Sequence, residues 1–135
     1  MLTNEQKIQM IESALQARKN AYAPYSGYAV GAALLSKSGR LFSGVNVENA
    51  AYPTGTCAER VAVFKAVSEG EIEFEAIVVA SSNGGTPCGS CRQVLSEFGL
   101  DIEVLIVDGQ GKIVLETTVN DLLPGAFTPK DLPRQ

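Results

Sequence analysis

Ala76-Ile77-Val78-Val79-Ala80, Asn83-Gly84-Gly85-Thr86-Pro87 and Cys88-Gly89-Ser90-Cys91-Arg92-Gln93-Val94-Leu95 read in succession as strand, loop and helix. The first run is short, apolar and rich in β-branched residues, which suits a buried strand. The second is loop chemistry, two glycines and a proline in five residues. The third opens a helix at Cys88/Ser90 that continues through Val94, Leu95 and Phe98 and ends at Gly99. Downstream, residues 102–107 and 112–118 read as two more strands around Asp108-Gly109-Gln110-Gly111, and residues 119–123 add a helical turn before Pro124. Upstream, a helix begins near Cys57 and runs through Val61, Phe64 and Val67 to Gly70. An irregular stretch holding Pro53 and Gly55 precedes it. Residues 29–35 and 41–47 form a hairpin about Lys37-Ser38-Gly39-Arg40, and Pro24, Ser26 and Gly27 mark a loop. Thr3-Asn4-Glu5-Gln6 fits a capping box, with Ile8, Ile11 and Leu15 at helical spacing, so a first helix spans residues 4–18. The order α-β-β-α-β-α-β-β predicts an α/β fold: a mixed five-stranded sheet covered by helices in a three-layer α-β-α sandwich.

At 135 residues, with no internal repeat or linker, residues 1–135 are expected to form one domain. The composition, 45% apolar and 19% charged, supplies a core and argues against disorder. The formal charge is −4 and no basic stripe is present. Nucleic-acid affinity is mostly phosphate neutralisation, so no nucleic-acid partner is expected and a small neutral substrate suits the balance better. No apolar run approaches a membrane span, the first residues are polar, and the cysteine number is odd. The expected setting is therefore the reducing cytoplasm, with no membrane partner.

The chain has three cysteines and no histidine. Cys57 stands in Thr56-Cys57-Ala58-Glu59-Arg60, while Cys88 and Cys91 stand three apart over a first helical turn and can present both sulfurs on one face. Three thiolates can hold zinc, but a closed structural site takes four protein ligands. A three-cysteine set leaves the fourth position to water, and Glu59, two residues from Cys57, can handle that water's protons. Three thiolates on zinc leave a net negative charge; helix N-termini, with Arg60 and Arg92 flanking the ligand segments, are expected to balance it. Competing readings are a redox dithiol, a structural zinc closed by a carboxylate, and inert buried cysteines. The redox reading leaves Cys57 without a role, and the chain has no tryptophan of the thioredoxin kind.

At these residues the chain resembles the zinc-dependent cytidine deaminases of the small three-cysteine type, which pair a Cys-x-Glu segment with a Pro-Cys-x-x-Cys segment. Pro24-Tyr25-Ser26, Val30-Gly31-Ala32-Ala33-Leu34, Gly44-Val45-Asn46-Val47-Glu48-Asn49-Ala50, Cys57-Ala58-Glu59-Arg60, Pro87-Cys88-Gly89 with Cys91-Arg92-Gln93, and Leu122-Leu123-Pro124-Gly125-Ala126-Phe127 follow the family order. The resemblance implies one Zn2+ held by Cys57, Cys88 and Cys91, with Glu59 as the proton shuttle. It implies that Asn46 and Glu48 bind the ribose, that Ala50, Tyr52 and Ala58 contact substrate, and that Phe127 packs on the pyrimidine across a subunit boundary. It implies a homotetramer with shared active sites. Tyr28 stands where the family typically has Phe; its ring can keep a stacking role, but its hydroxyl needs a partner.

The activity so implied is hydrolytic deamination of cytidine and 2′-deoxycytidine to the uridines and ammonia, in pyrimidine salvage. A sibling specificity for blasticidin S is the nearest alternative. A non-catalytic nucleoside-binding module is another, although metal retention alone has no use for a carboxyl beside an open ligand position. An RNA- or DNA-editing deaminase fits the acidic balance poorly.

Overall fold

A computed structural model describes residues 1–133. Helix α1 (Asn4–Arg18) leads into the antiparallel hairpin β1 (Gly31–Ser36) and β2 (Leu41–Val45). Helix α2 (Ala58–Ser68) follows a short 3₁₀ turn at Tyr52–Thr54. Strand β3 (Phe74–Ala80), helix α3 (Gly89–Phe98), strands β4 (Glu103–Val107) and β5 (Ile113–Thr118), and the short helix α4 (Val119–Leu122) complete the order. The five strands form one sheet in the order β2-β1-β3-β4-β5, with β3 and β4 parallel and every other neighbour pair antiparallel. The mixed sheet expected from the element order is present.

Alternation across the sheet sends side chains to two separate cores. Ala33, Leu35, Ala76, Val78, Leu105 and Val107 pack under α1, while Ala32, Leu34, Ile77, Val79, Val104 and Ile106 pack with the helices on the other face. Helices therefore cover both faces, the three-layer arrangement read from the sequence, and β1 is buried along its whole length.

The sheet-facing stripes of the helices differ from the apolar spacing in the sequence. Met10 and Ala14 are the buried residues of α1, whereas Ile8 is 58% exposed. In α2 the buried residues are Ala58, Glu59, Ala62, Val63 and Ala66, while Phe64 and Val67 face outward. The cause is close backbone approach. A Cβ on Gly31 would lie 2.1 Å from the Ala14 carbonyl oxygen, and one on Gly44 would lie 2.3 Å from that of Ala58. Each helix lays an alanine onto a strand glycine, and its larger apolar residues are turned aside. Strand β3 begins two residues earlier than the apolar run suggested, because Phe74 is buried against Phe98 with ring centroids 5.2 Å apart.

Candidate active site

Cys57 is the N-cap of α2 and Cys88 the N-cap of α3, both in extended backbone, and Cys91 sits in the first turn of α3. N-caps usually carry Ser, Thr, Asp or Asn, whose oxygen bonds a free N–H of the first turn. Here neither cysteine makes such a bond. Their sulfurs face each other instead: Cys57 Sγ lies 3.9 Å from Cys88 Sγ, and Cys88 Sγ 3.5 Å from Cys91 Sγ. All three sulfurs lie within 4.8 Å of one another. Tetrahedral zinc with Zn–S near 2.3 Å sets its sulfurs about 3.8 Å apart, so the triangle fits that ion. Two helix N-termini add partial positive charge that favours the thiolate form such a ligand needs.

The electrostatics already favour one thiolate. The Cys57 thiol is lowered to about 5, first by a hydrogen bond from Cys91 and then by Arg60, against the opposing effect of burial. Cys91 is raised, because it is the donor to that thiolate and is itself buried. An Arg60 amino group donates to Cys57 Sγ at 3.3 Å, and the guanidinium is held more firmly protonated by that contact. Arg92, expected beside the same charge, is placed otherwise. Its guanidinium donates to the Pro87 carbonyl at 2.8 Å, the Leu122 carbonyl at 2.9 Å and Thr86 Oγ1 at 3.0 Å, and among the described residues none of its hydrogen bonds reaches a sulfur. Its hydrogen bonds fasten the segment ahead of Cys88.

Glu59 lies in the first turn of α2 and is 5% exposed. Burial pushes its carboxyl above the ordinary range, and the Cys57 charge pushes the same way. A buried carboxyl with its proton affinity raised, beside the sulfur triangle, is suited to take and return a proton.

A cleft of about 510 Å3 opens beside Cys57 and Arg60, bounded by Tyr25, Asn46, Glu48 and Tyr52. That volume suits a small organic ligand. Glu48 accepts from the backbone N–H groups of Tyr25 and Ser26, each at 3.0 Å, and from the Ser26 hydroxyl. These donors, the Ser26 hydroxyl first, hold its carboxyl below the ordinary carboxylate range. A carboxylate offers about four acceptor positions, and three are taken. Asn46 donates from Nδ2 to the Tyr28 carbonyl at 2.7 Å and accepts at Oδ1 from Val30 N–H at 2.9 Å. One N–H and one lone pair of its amide remain.

The other residues singled out in the sequence are less gathered. Ala58 is fully buried under the start of α2, and Ala50 is exposed outside the cleft lining. Tyr52 lines the cleft and packs against Tyr25, ring centroids 5.8 Å apart. Phe127 is 57% exposed, with its carbonyl accepting from Gln93 Nε2 at 2.8 Å. Tyr28 does not line the cleft; its hydroxyl finds Ser81 Oγ at 2.8 Å and Asn83 Oδ1 at 2.7 Å. Ser26 belongs to the segment Pro24-Tyr25-Ser26 and Asn83 opens the loop that ends at Pro87, but neither is marked there for these bonds, and Ser81 has no motif to mark it in the sequence.

Residues 4–107 match the family model for the cytidine and deoxycytidylate deaminase zinc-binding region. A cytidine deaminase of Halalkalibacterium halodurans is 49% identical over 126 residues, covering 91% of this chain and 95% of that protein. A blasticidin-S deaminase of Bacillus cereus is 32% identical over 135 residues, covering 93% and 94%. The crystal structure of a cytidine deaminase from Burkholderia pseudomallei superposes with a TM-score of 0.85 at 46% identity, covering 93% of this chain and 100% of that one. A sulfur triangle sized for zinc, a buried carboxyl beside it and this match over most of the sequence lead to one assignment: the chain belongs to the cytidine and deoxycytidylate deaminase family and is a zinc enzyme.

Proposed function

We propose that the protein hydrolyses the exocyclic amine of cytidine and 2′-deoxycytidine, giving uridine or 2′-deoxyuridine and ammonia, as a pyrimidine-salvage enzyme of the cytoplasm built as one catalytic domain. The observation that carries this is Glu59: a buried carboxyl with its proton affinity raised, in the first turn of α2, two residues from the cap Cys57. Zinc held by Cys57, Cys88 and Cys91 supplies a Lewis-acid position that makes water acidic. Glu59 accepts a proton from the attacking water as its oxygen bonds C4 of the pyrimidine. The carboxylic acid so formed protonates N3. Glu59 then takes the second proton of the added hydroxyl and delivers it to the amine, the C4–N bond breaks, and ammonia leaves.

Asn46 and Glu48 stand on one extended segment at the cleft, each with hydrogen-bonding capacity left over, and receive the ribose hydroxyls. Tyr52 and Ala50 lie on the following turn toward a neighbouring subunit. Phe127 closes over the pyrimidine of a partner's site, and Ala58 presents backbone to the base edge at the α2 start. The assembly is a homotetramer with shared active sites. Its support is the exposure of Phe64, Val67, Ile72 and Phe127, large apolar side chains that the single subunit leaves facing solvent. Among the described residues no helix is long and apolar enough to cross a membrane.

The test is loss of cytidine absorbance with and without a zinc chelator, with 2′-deoxycytidine, cytosine and blasticidin S in parallel. Chelator-sensitive turnover of the first two is expected. Turnover of blasticidin S alone, or none of the four by the zinc-loaded protein, overturns the proposal.

A further inference from the structure

We propose, resting on the deaminase reading above, that Tyr28 is a positioning strut tying the Asn46 side of the cleft to the loop that delivers Cys88. Its backbone is fixed at one end. The Tyr28 N–H donates to Ser26 Oγ at 3.0 Å and its carbonyl accepts from Asn46 Nδ2 at 2.7 Å. Ser26 in turn donates to Glu48, so both polar side chains proposed for the ribose share this anchor.

The hydroxyl fixes the other end. It lies 2.8 Å from Ser81 Oγ and 2.7 Å from Asn83 Oδ1, and it has one proton to give. The Asn83 oxygen can only accept, so the tyrosine proton goes there. The Ser81 hydroxyl then donates to the tyrosine oxygen while accepting from Gly85 N–H at 3.0 Å. Ser81 is 1% exposed, so without the tyrosine oxygen its hydroxyl is left with a long 3.5 Å contact to Asn83 Oδ1 and no bulk water. The fit is close: a Cβ on Gly85 would sit 2.6 Å from the Tyr28 hydroxyl.

The loop so gripped runs from the end of β3 at Ala80 to Cys88. Its second half is fastened by Arg92 at Thr86 and Pro87. Its first half is held by the Ser81 N–H on the Val107 carbonyl at 3.3 Å, by the Gly85 N–H on Ser81 Oγ, and across to the Asn46 side by the Tyr28 hydroxyl. A side chain outside the cleft thereby sets where a metal ligand stands relative to Asn46, through hydrogen bonds alone. Partners bonded directly to metal ligands typically govern metal affinity by about 10- to 100-fold, and a strut acting through the loop belongs at the lower end.

The experiment measures zinc release from the zinc-loaded protein to a chromogenic chelator, alongside kcat and KM for cytidine. Tyr28→Phe is expected to release zinc roughly tenfold faster, with its melting temperature lowered only by the few degrees that one lost buried hydrogen bond is worth. Ser81→Ala is expected to match it, and the double variant to be no worse than either single one, because all three break one node. If Tyr28→Phe fails to fold, Asn83→Ala keeps the ring and its hydroxyl but removes the acceptor that holds that hydroxyl on the loop, and is expected to show the same faster release. Wild-type release rates in the folded single variants overturn the strut, as does strict additivity in the double variant. If the parent fails to deaminate cytidine while these release differences hold, the deaminase reading falls and the strut stands.

Discussion

Gly44→Ala is the sharpest test of how the fold builds the site. The new Cβ would lie 2.3 Å from the Ala58 carbonyl oxygen and 2.6 Å from the Ala62 nitrogen, both backbone atoms of α2. Neither can rotate away, so α2 must retreat from β2 by roughly 1 Å to reach ordinary contact distance. Forced overpacking of this kind costs about 1–3 kcal/mol. For a chain of this length that lowers the melting temperature by roughly 3 to 12 °C. The same retreat displaces Cys57 and Glu59, which begin α2, relative to Cys88 and Cys91 on α3. A misplacement near 1 Å at reacting groups can cost about 100-fold in rate. Turnover should therefore fall by more than the unfolded fraction explains. Gly89→Ala is the control: it opens α3 beside Cys88, yet nothing lies within 4 Å of its new Cβ. It should hold or raise the melting temperature. Calorimetry and steady-state deamination of cytidine on zinc-loaded protein give both readouts. A Gly44→Ala protein with parental melting temperature and turnover would refute the close-approach account of the site.

Three further outcomes follow from the geometry. Glu59→Gln keeps the three sulfurs and the side-chain volume but can no longer shuttle protons, so bound zinc measured by mass spectrometry should be unchanged while kcat falls by about 10⁴-fold. An active variant would remove Glu59 from the chemistry. The Glu48 carboxyl, held below its ordinary value of 4.5 by Ser26, lends stability above that pH and loses it as pH falls through its lower folded value. Carboxyl NMR titration should show the depressed midpoint, and Ser26→Ala should bring it back up; an ordinary midpoint in the parent contradicts the hydrogen bonds. Phe127→Ala removes a side chain that is 57% exposed. It should leave the unfolding of the subunit within about 0.5 kcal/mol yet raise KM for cytidine; an unchanged KM means the ring does not meet substrate.

Much of the fold was legible because its signals are local. The capping box at Thr3 and Gln6, the glycine turns and the apolar runs are each decided within a few residues, and α1 spans Asn4–Arg18 as the sequence predicts. Which face of each helix meets the sheet was not legible. Ile8, Phe64 and Val67 carry the stronger apolar signal, yet Ala14 and Ala62 are the residues buried. Depth of approach is fixed by a glycine on a strand distant in sequence, and spacing along one helix does not contain that.

At the site the division is similar. Three cysteines, no histidine and a glutamate two residues from the first sulfur determine by themselves what metal chemistry the chain can offer, since ligand type and number are properties of composition. Only the tertiary structure decided which of two flanking arginines meets the sulfurs, Arg60 and not Arg92. Only it showed the Tyr28 hydroxyl reaching Ser81 and Asn83, more than fifty residues away. A hydrogen bond needs its atoms within about 3 Å in a set direction. Donors and acceptors can be counted along a chain, but their meeting is settled by how the sheet and its helices bring distant segments together.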